Sequence, residues 1–225
     1  MMVGMDPWMP MMSHSAAASR PVPLIQLKKG RVLGAVLMLK AGSHEHSHTE
    51  VRLAAEIDLD HAKRTLEFKM PGDLTDGPLV QSGDDIIIGS RDYTGPLQKA
   101  ESLSIVWKQR KIFMRPKDSS TRATFTENGK VTRRQMTIAT RYRDKHESLL
   151  HLAVELVDYQ GQTHIVTFKG LSSDHNSLAL AQVGCQVTVT YEPLYLEDSA
   201  EVRLDSLSID WTKSLSVVQS ADWTF

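Results

Sequence analysis

Apolar and polar residues alternate with a period of two along most of this chain. Val51, Leu53, Ala55 and Ile57 alternate with Arg52, Ala54, Glu56 and Asp58, the pattern of a strand with one buried face. Leu66, Phe68 and Met70 alternate with Glu67 and Lys69 in the same way. Upstream, Arg31 to Lys40 reads as an apolar strand, and Gly34 inside it marks a bulge or a sharp bend. Pro71-Gly72 breaks the third strand, and residues 73–83 have room for a short helical turn. Asp85 to Ser90 then predicts a fourth strand, and Leu103, Ile105 and Trp107 mark the inward side of a fifth.

The same order of elements returns about 100 residues later. Met136 and Ile138 lie on a first strand, and Leu150, Leu152, Val154 and Leu156 line a second. Gln160-Gly161 turns the chain into a third, Thr163 to Lys169. Ser172 to Val183 opens with capping residues and stops before Gly184, which predicts a helix. Val187 and Val189 mark strand four, and Leu207, Ile209 and Trp211 strand five. Individual residues recur as well. Ser102-Leu103-Ser104-Ile105-Val106-Trp107 returns as Ser206-Leu207-Ser208-Ile209-Asp210-Trp211, Phe68-Lys69 as Phe168-Lys169, and Gly83 as Gly184. A period this long fits one small domain per copy rather than a solenoid.

Three strands, a helix or turn, a glycine and two more strands resemble the oligonucleotide/oligosaccharide-binding (OB) fold, a five-stranded Greek-key barrel. The resemblance rests on element order in both copies and on no family-specific motif. It implies an all-β protein of two tandem five-stranded barrels, each with a short helix or turn between strands three and four. A β-sandwich built from the same strands is the alternative. The expected organisation is a methionine-rich arm (1–30), a first barrel (31–107), a basic connector (108–134), a second barrel (135–213) and a tail (214–225). Glu127-Asn128-Gly129 within the connector predicts a type I′ hairpin turn.

Charge changes this picture more than composition does. The 225 residues are 41% hydrophobic, an ordinary globular value, and the net charge is −1. That average hides a basic block. Residues 108–145 carry 12 basic and 3 acidic side chains, whereas residues 146–225 carry 3 basic and 11 acidic. The single cysteine, Cys185, rules out an internal disulfide framework and opens an alternating strand, where a buried, inert thiol is expected. Met1 to Ser19 holds six methionines and Trp8 but neither a basic n-region nor a continuous apolar stretch. It reads as a loose tail, or as an arm able to dock in a partner's apolar groove. No recognisable secretion signal and no membrane-length apolar run are present, so the expected setting is cytoplasmic or within a virion.

The candidate contact residues follow from the basic block. They are Lys108, Arg110, Lys111, Arg115, Lys117, Arg122, Lys130, Arg133, Arg134, Arg141 and Arg143, with Tyr142 interleaved. Three roles compete for them: a solvated face, a contact with the acidic copy of a neighbouring subunit, or a phosphate-binding surface. Phe68, Phe168, Trp107 and Trp211 fall on inward positions and are expected in the cores. That leaves Tyr142 and Tyr159 as the remaining candidates for base stacking. His44, His46 and His48 form an alternating trio that only a curled loop would converge on a metal ion, so a polar hairpin tip is the simpler reading. No phosphate-binding glycine loop, nucleophile elbow or paired-cysteine motif occurs, and neither catalysis nor a cofactor is expected.

Function is expected to lie in contact rather than chemistry. The leading expectation is a structural or assembly subunit of a virion or other large complex, acting through protein partners. The alternative is a single-stranded nucleic-acid-binding protein with tandem OB-like folds. A carbohydrate-binding module is a weaker third.

Overall fold

The computed structural model describes residues 24–41, 47–74, 76–113, 123–141, 145–171, 177–196 and 199–219. Ten strands form two closed barrels. The first comprises β1 (Gln26–Ala41), β2 (Ser47–Leu59), β3 (Ala62–Pro71), β4 (Asp85–Ser90) and β5 (Leu97–Ile105), in the spatial order β1-β2-β3-β5-β4. The second comprises β6 (Phe125–Arg141), β7 (Lys145–Val157), β8 (Thr163–Leu171), β9 (Gln186–Leu196) and β10 (Ser199–Ile209), joined as β10-β8-β7-β6-β9. In both, the third and fifth strands pair in parallel and the remaining pairs are antiparallel. This is the OB strand order, and closure sets the β-sandwich aside.

Shared local devices make the copies alike. The first strand of each carries a register shift at the same point, Val32/Gly34 and Val131/Arg133. Gly83 and Gly184 take φ values of +91° and +99°, a region that side chains disfavour. Each then donates its N–H to the first strand, Gly83 to Val32 O and Gly184 to Val131 O, both at 2.8 Å. The turn before strand four is a single 3-10 turn at Gly77–Leu79 in barrel one. In barrel two, Ser177 to Leu180 form one turn, with Ala181 N–H donating to Ser177 O, and no helix follows; the start of the predicted helix, 172–176, lies outside the described residues.

Both cores are built as the alternation predicts. Val51, Leu53, Ile57, Phe68, Ile88, Leu103 and Ile105 are buried in the first barrel. Leu150, Leu152, Val154, Phe168, Cys185, Val189, Leu207 and Ile209 are buried in the second.

Three features differ from expectation. Asn128-Gly129 makes no turn: it lies inside β6, where Gly129 pairs with Leu156 on one side and Val187 on the other. The glycine is needed there because a Cβ would collide with the Glu155 backbone, and Asn128 Oδ1 accepts a 2.7 Å bond from Thr188 Oγ1. The second barrel's first strand therefore starts at Phe125, within the stretch expected to be connector. Trp211 is not on strand five. Asp210 follows β10 and caps a helix, α1 (Trp211–Gln219), through bonds from Thr212 N and Oγ1, leaving Trp211 43% exposed. Trp107, also beyond its strand, is partly buried against the first core. Finally, part of the expected tail is ordered as α1, anchored by buried Ser214, whose Oγ accepts from Gln186 N at 2.9 Å.

Candidate nucleic-acid interface

The two barrels pack directly on one another, and the basic segment is what joins them. Asp76, at the end of barrel one, is 2% exposed and would be costly to bury alone. Arg110 meets it with both terminal nitrogens, Nη1–Oδ2 at 2.5 Å and Nη2–Oδ1 at 3.2 Å. Ile105 N–H and the Thr167 hydroxyl, one from each barrel, donate to the same carboxylate at 3.0 and 3.1 Å. Arg133 on β6 reaches back to Asp84 with bonds of 2.6 and 2.9 Å and to Leu79 O at 3.0 Å. Its guanidinium lies 4.4 Å above the Trp107 ring, a cation–π contact. Arg134 donates to Ala179 O within its own barrel.

Lys111 is drawn into the second barrel instead. Its ammonium donates to Glu127 Oε1 at 2.6 Å and to Tyr191 OH at 3.0 Å, 4.6 Å from the Phe125 ring centroid. Tyr191 OH donates to Glu127 Oε2 at 2.6 Å, and His164 Nε2 lies 3.1 Å from the same oxygen. Burial alone would raise the Glu127 carboxyl, but bonds from Lys111, Tyr191 and His164 together hold it below the usual carboxylate range. Burial, and then the bond to Glu127, push the Tyr191 phenol well up. Four of the candidate cations are thus occupied within the chain, which removes them as a free basic surface for a neighbouring subunit.

The other candidates are distributed differently. Lys108 and Lys130 are exposed and make no hydrogen bond or ion pair among the described residues. Arg141 ends β6, but its side chain is outside the described residues, as are Arg115, Lys117, Arg122, Tyr142, Arg143, His44 and His46. His48 is exposed on β2, and no group of three metal-binding side chains occurs among the described residues. Tyr159 projects from the β7–β8 turn, fully accessible.

Packing also decides which barrel faces remain open. OB folds bind ligands on the outer face of strands two and three. In barrel two that face is β7 and β8, and barrel one covers part of it: Ala153 is buried against the first core and Thr167 bonds Asp76. In barrel one the equivalent face is open, but its cleft balances Lys29, Arg31 and Lys63 against Glu56, Asp58 and Asp85. Arg31 and Lys63 are already paired with Asp85 and Glu56.

A different cleft is cationic. A groove of about 610 Å³ runs between the barrels, from β5 across residues 110–113 to β8 and β10. Arg110, Lys111, Lys169 and Arg203 line it against a single carboxylate, Asp76, and Phe113 supplies an aromatic wall. Lys169 donates to Asp73 O at 3.1 Å and has no carboxylate partner among the described residues. Arg203 stands at the rim, more than half exposed, 3.2 Å from Glu192 and 3.0 Å from Asp205. Neither residue is prominent in the sequence, because both belong to the acidic second copy. The recurrence of Phe68-Lys69 as Phe168-Lys169 is the one signal that put Lys169 on an outward face.

No protein-family model matches the chain, and no curated protein does. Among solved structures, the wild-type single-stranded DNA binding protein from Thermus aquaticus matches with a TM-score of 0.31 and 14% identity, over 83% of this chain and 93% of that one. A deletion variant of the same protein gives 0.30 and 14%, over 83% and 94%. Superposition this loose does not bear on the function of this chain; the OB architecture rests on its own strand order. No helix among the described residues is long and apolar enough to cross a membrane.

Proposed function

We propose that this chain is a non-enzymatic, single-stranded nucleic-acid-binding protein that holds the strand in the groove between its barrels. The observation behind this reading is Lys169, a cation on the wall of that groove with no carboxylate partner among the described residues, beside Arg203, more than half exposed at the rim. A phosphate neutralised by such a cation releases counterions, which makes the binding salt-dependent. Phe113 offers a ring against which a base can pack, and stacking tolerates any sequence. Lys169 and Arg203 are the phosphate contacts in this reading, because Arg110 and Lys111 are committed to Asp76 and Glu127. Assembly through opposed charge blocks has less support, since four cations of the basic block are already engaged within the chain.

The test is fluorescence anisotropy with a labelled oligothymidine at several salt concentrations. Parent affinity should fall steeply with salt. Lys169→Ala and Arg203→Gln should each weaken binding and reduce the log–log salt slope by about 1. An absence of binding at low salt, or parent-like slopes in both variants, would refute the proposal.

A further inference from the structure

The two copies share one more feature, a pair of cations facing each other across the third and fifth strands. In barrel two, Lys169 on β8 is the parallel partner of Arg203 on β10. In barrel one, Lys69 on β3 is the parallel partner of Lys99 on β5. The positions are equivalent. Lys69 and Lys169 each follow the core phenylalanine, and each fifth strand shifts register just beyond its cation, at Glu101 in one and at Asp205 in the other. That bulged carboxylate holds the cation in both copies, Lys99 to Glu101 at 3.5 Å and Arg203 to Asp205 at 3.0 Å. Neighbouring strands lie about 4.8 Å apart, and like charges set directly opposite one another are destabilising. The chain keeps this unfavourable pair twice.

The barrel-one pair is the less neutralised of the two. Lys69 makes no hydrogen bond or ion pair among the described residues. Its partner on the other side, on β2, is a further cation, Arg52, which is bound to Glu50. Glu67, on the same strand and exposed, forms no ion pair with either lysine. Beyond the fifth strand the copies differ in sign. Glu192 lies opposite Arg203 and neutralises it at 3.2 Å. The equivalent position in barrel one holds Arg91, which shares Glu101 with Lys99 at 3.6 Å. The site is open to solvent, the Lys99 side chain being 65% exposed.

This pair also stands at the exit of the groove between the barrels. Ser102 and Ser104 of β5 line that groove. Lys99 lies on the same outer side of the same strand, about 10 Å before Ser102. From the other wall Lys169 donates to Asp73 O, and the chain from Asp73 back to Lys69 spans at most about 14 Å.

We infer that Lys69 and Lys99 form a second phosphate contact, so that a nucleic-acid strand held in the groove continues onto barrel one across β3 and β5. A phosphate set between the two ammonium groups offsets their repulsion and accepts a charge-assisted bond from each. The contact rests on the nucleic-acid reading proposed above and sets the path of the strand beyond the groove.

Anisotropy with a labelled oligothymidine of about 20 nucleotides, longer than one barrel of this class covers, is the test. The Lys69→Ala/Lys99→Ala double variant should bind more weakly and lower the log–log salt slope by about 1. Lys63→Ala removes a charge from the same strand outside this pair, where Glu56 already holds it, and should keep the parent slope. Without nucleic acid, Lys69→Gln should melt no lower than the parent at low salt, because it removes a repulsion. Lys69→Gln/Lys99→Gln replaces the alanine pair should that variant fail to fold. A parent that binds and loses slope in Lys169→Ala but not in the double variant overturns the inference and leaves the groove reading intact. A parent that does not bind overturns both. A slope lost equally in Lys63→Ala would reduce the effect to overall charge and overturn the inference. Lys69→Gln melting clearly below the parent would do the same, because the lysine would then serve the fold.

Discussion

Truncating Arg110 to alanine tests whether the basic segment is structural. The change leaves the Asp76 carboxylate, 2% exposed, with neutral donors alone, Ile105 N–H, the Thr167 hydroxyl and, at 3.5 Å, the Ser104 hydroxyl. Breaking one side of a buried ion pair costs about 3–5 kcal/mol, because the remaining charge is uncompensated. Arg110→Ala should fall in that range. Asp76→Ala should cost less, about 2–3 kcal/mol on the same reasoning, since the Arg110 side chain is 32% exposed and water can reach what the carboxylate leaves. The double variant should be more stable than the sum of the two single losses predicts, by about 0.5–3 kcal/mol, as for groups that share one network. Urea titration of all four proteins measures the cycle. Because the pair spans the two barrels, Arg110→Ala should also loosen their coupling, and a lower m-value or a split transition would report it. A loss near zero for Arg110→Ala, or strictly additive losses, would show that the arginine is an ordinary surface cation and would return it to the pool of free contact residues. The same logic bars Arg110, Lys111, Arg133 and Arg134 from use as simple binding knock-outs, since each also holds the fold together.

The duplication and both cores were legible because they depend on local alternation. Inward positions on a strand recur every second residue, so Leu103, Ile105, Leu207 and Ile209 could be placed without knowing what they pack against. The errors lie where a distant partner decides. Asn128-Gly129 has turn chemistry, yet a glycine is also what a crowded strand crossing needs, and only the approach of the Glu155 backbone distinguishes the two. Trp211 copies Trp107 in sequence, but Asp210 replaces Val106 beside it and caps a helix instead. The basic segment is the clearest case. Its net charge was countable, but the carboxylates that neutralise it come from 34 and 49 residues away, and no charge run records such pairings. Regional averaging failed in the other direction as well. Lys169 and Arg203 belong to an acidic stretch, but the fold turns them into the groove between the barrels.

Two further outcomes test the interior. Leu103→Ala and Leu207→Ala, each on the inward side of a fifth strand and nearly inaccessible, should each cost about 2–5 kcal/mol in urea titration; a negligible loss at either would mean the register is reversed. Glu127→Gln tests the buried cluster by its pH dependence. The folded state holds the Glu127 carboxyl below its ordinary value of 4.5, so over the interval between the two values the unfolded chain binds more protons than the folded one. Its contribution to stability is therefore complete above the unfolded pKa and is lost as pH falls through the folded one. The variant keeps an acceptor oxygen for the Tyr191 hydroxyl but loses the charge facing Lys111, which then sits unpaired among Phe125 and Tyr191. At neutral pH the variant should be clearly less stable than the parent. As the pH is lowered below about 4.5 the gap should narrow, because protonating the parent's carboxylate removes the same charge. Comparing the two proteins at each pH cancels the contributions of the other carboxylates. A stability gap that stays constant from neutral to acid pH would refute the assignment, since it would mean that Glu127 is felt for its shape and hydrogen bonds rather than for its charge.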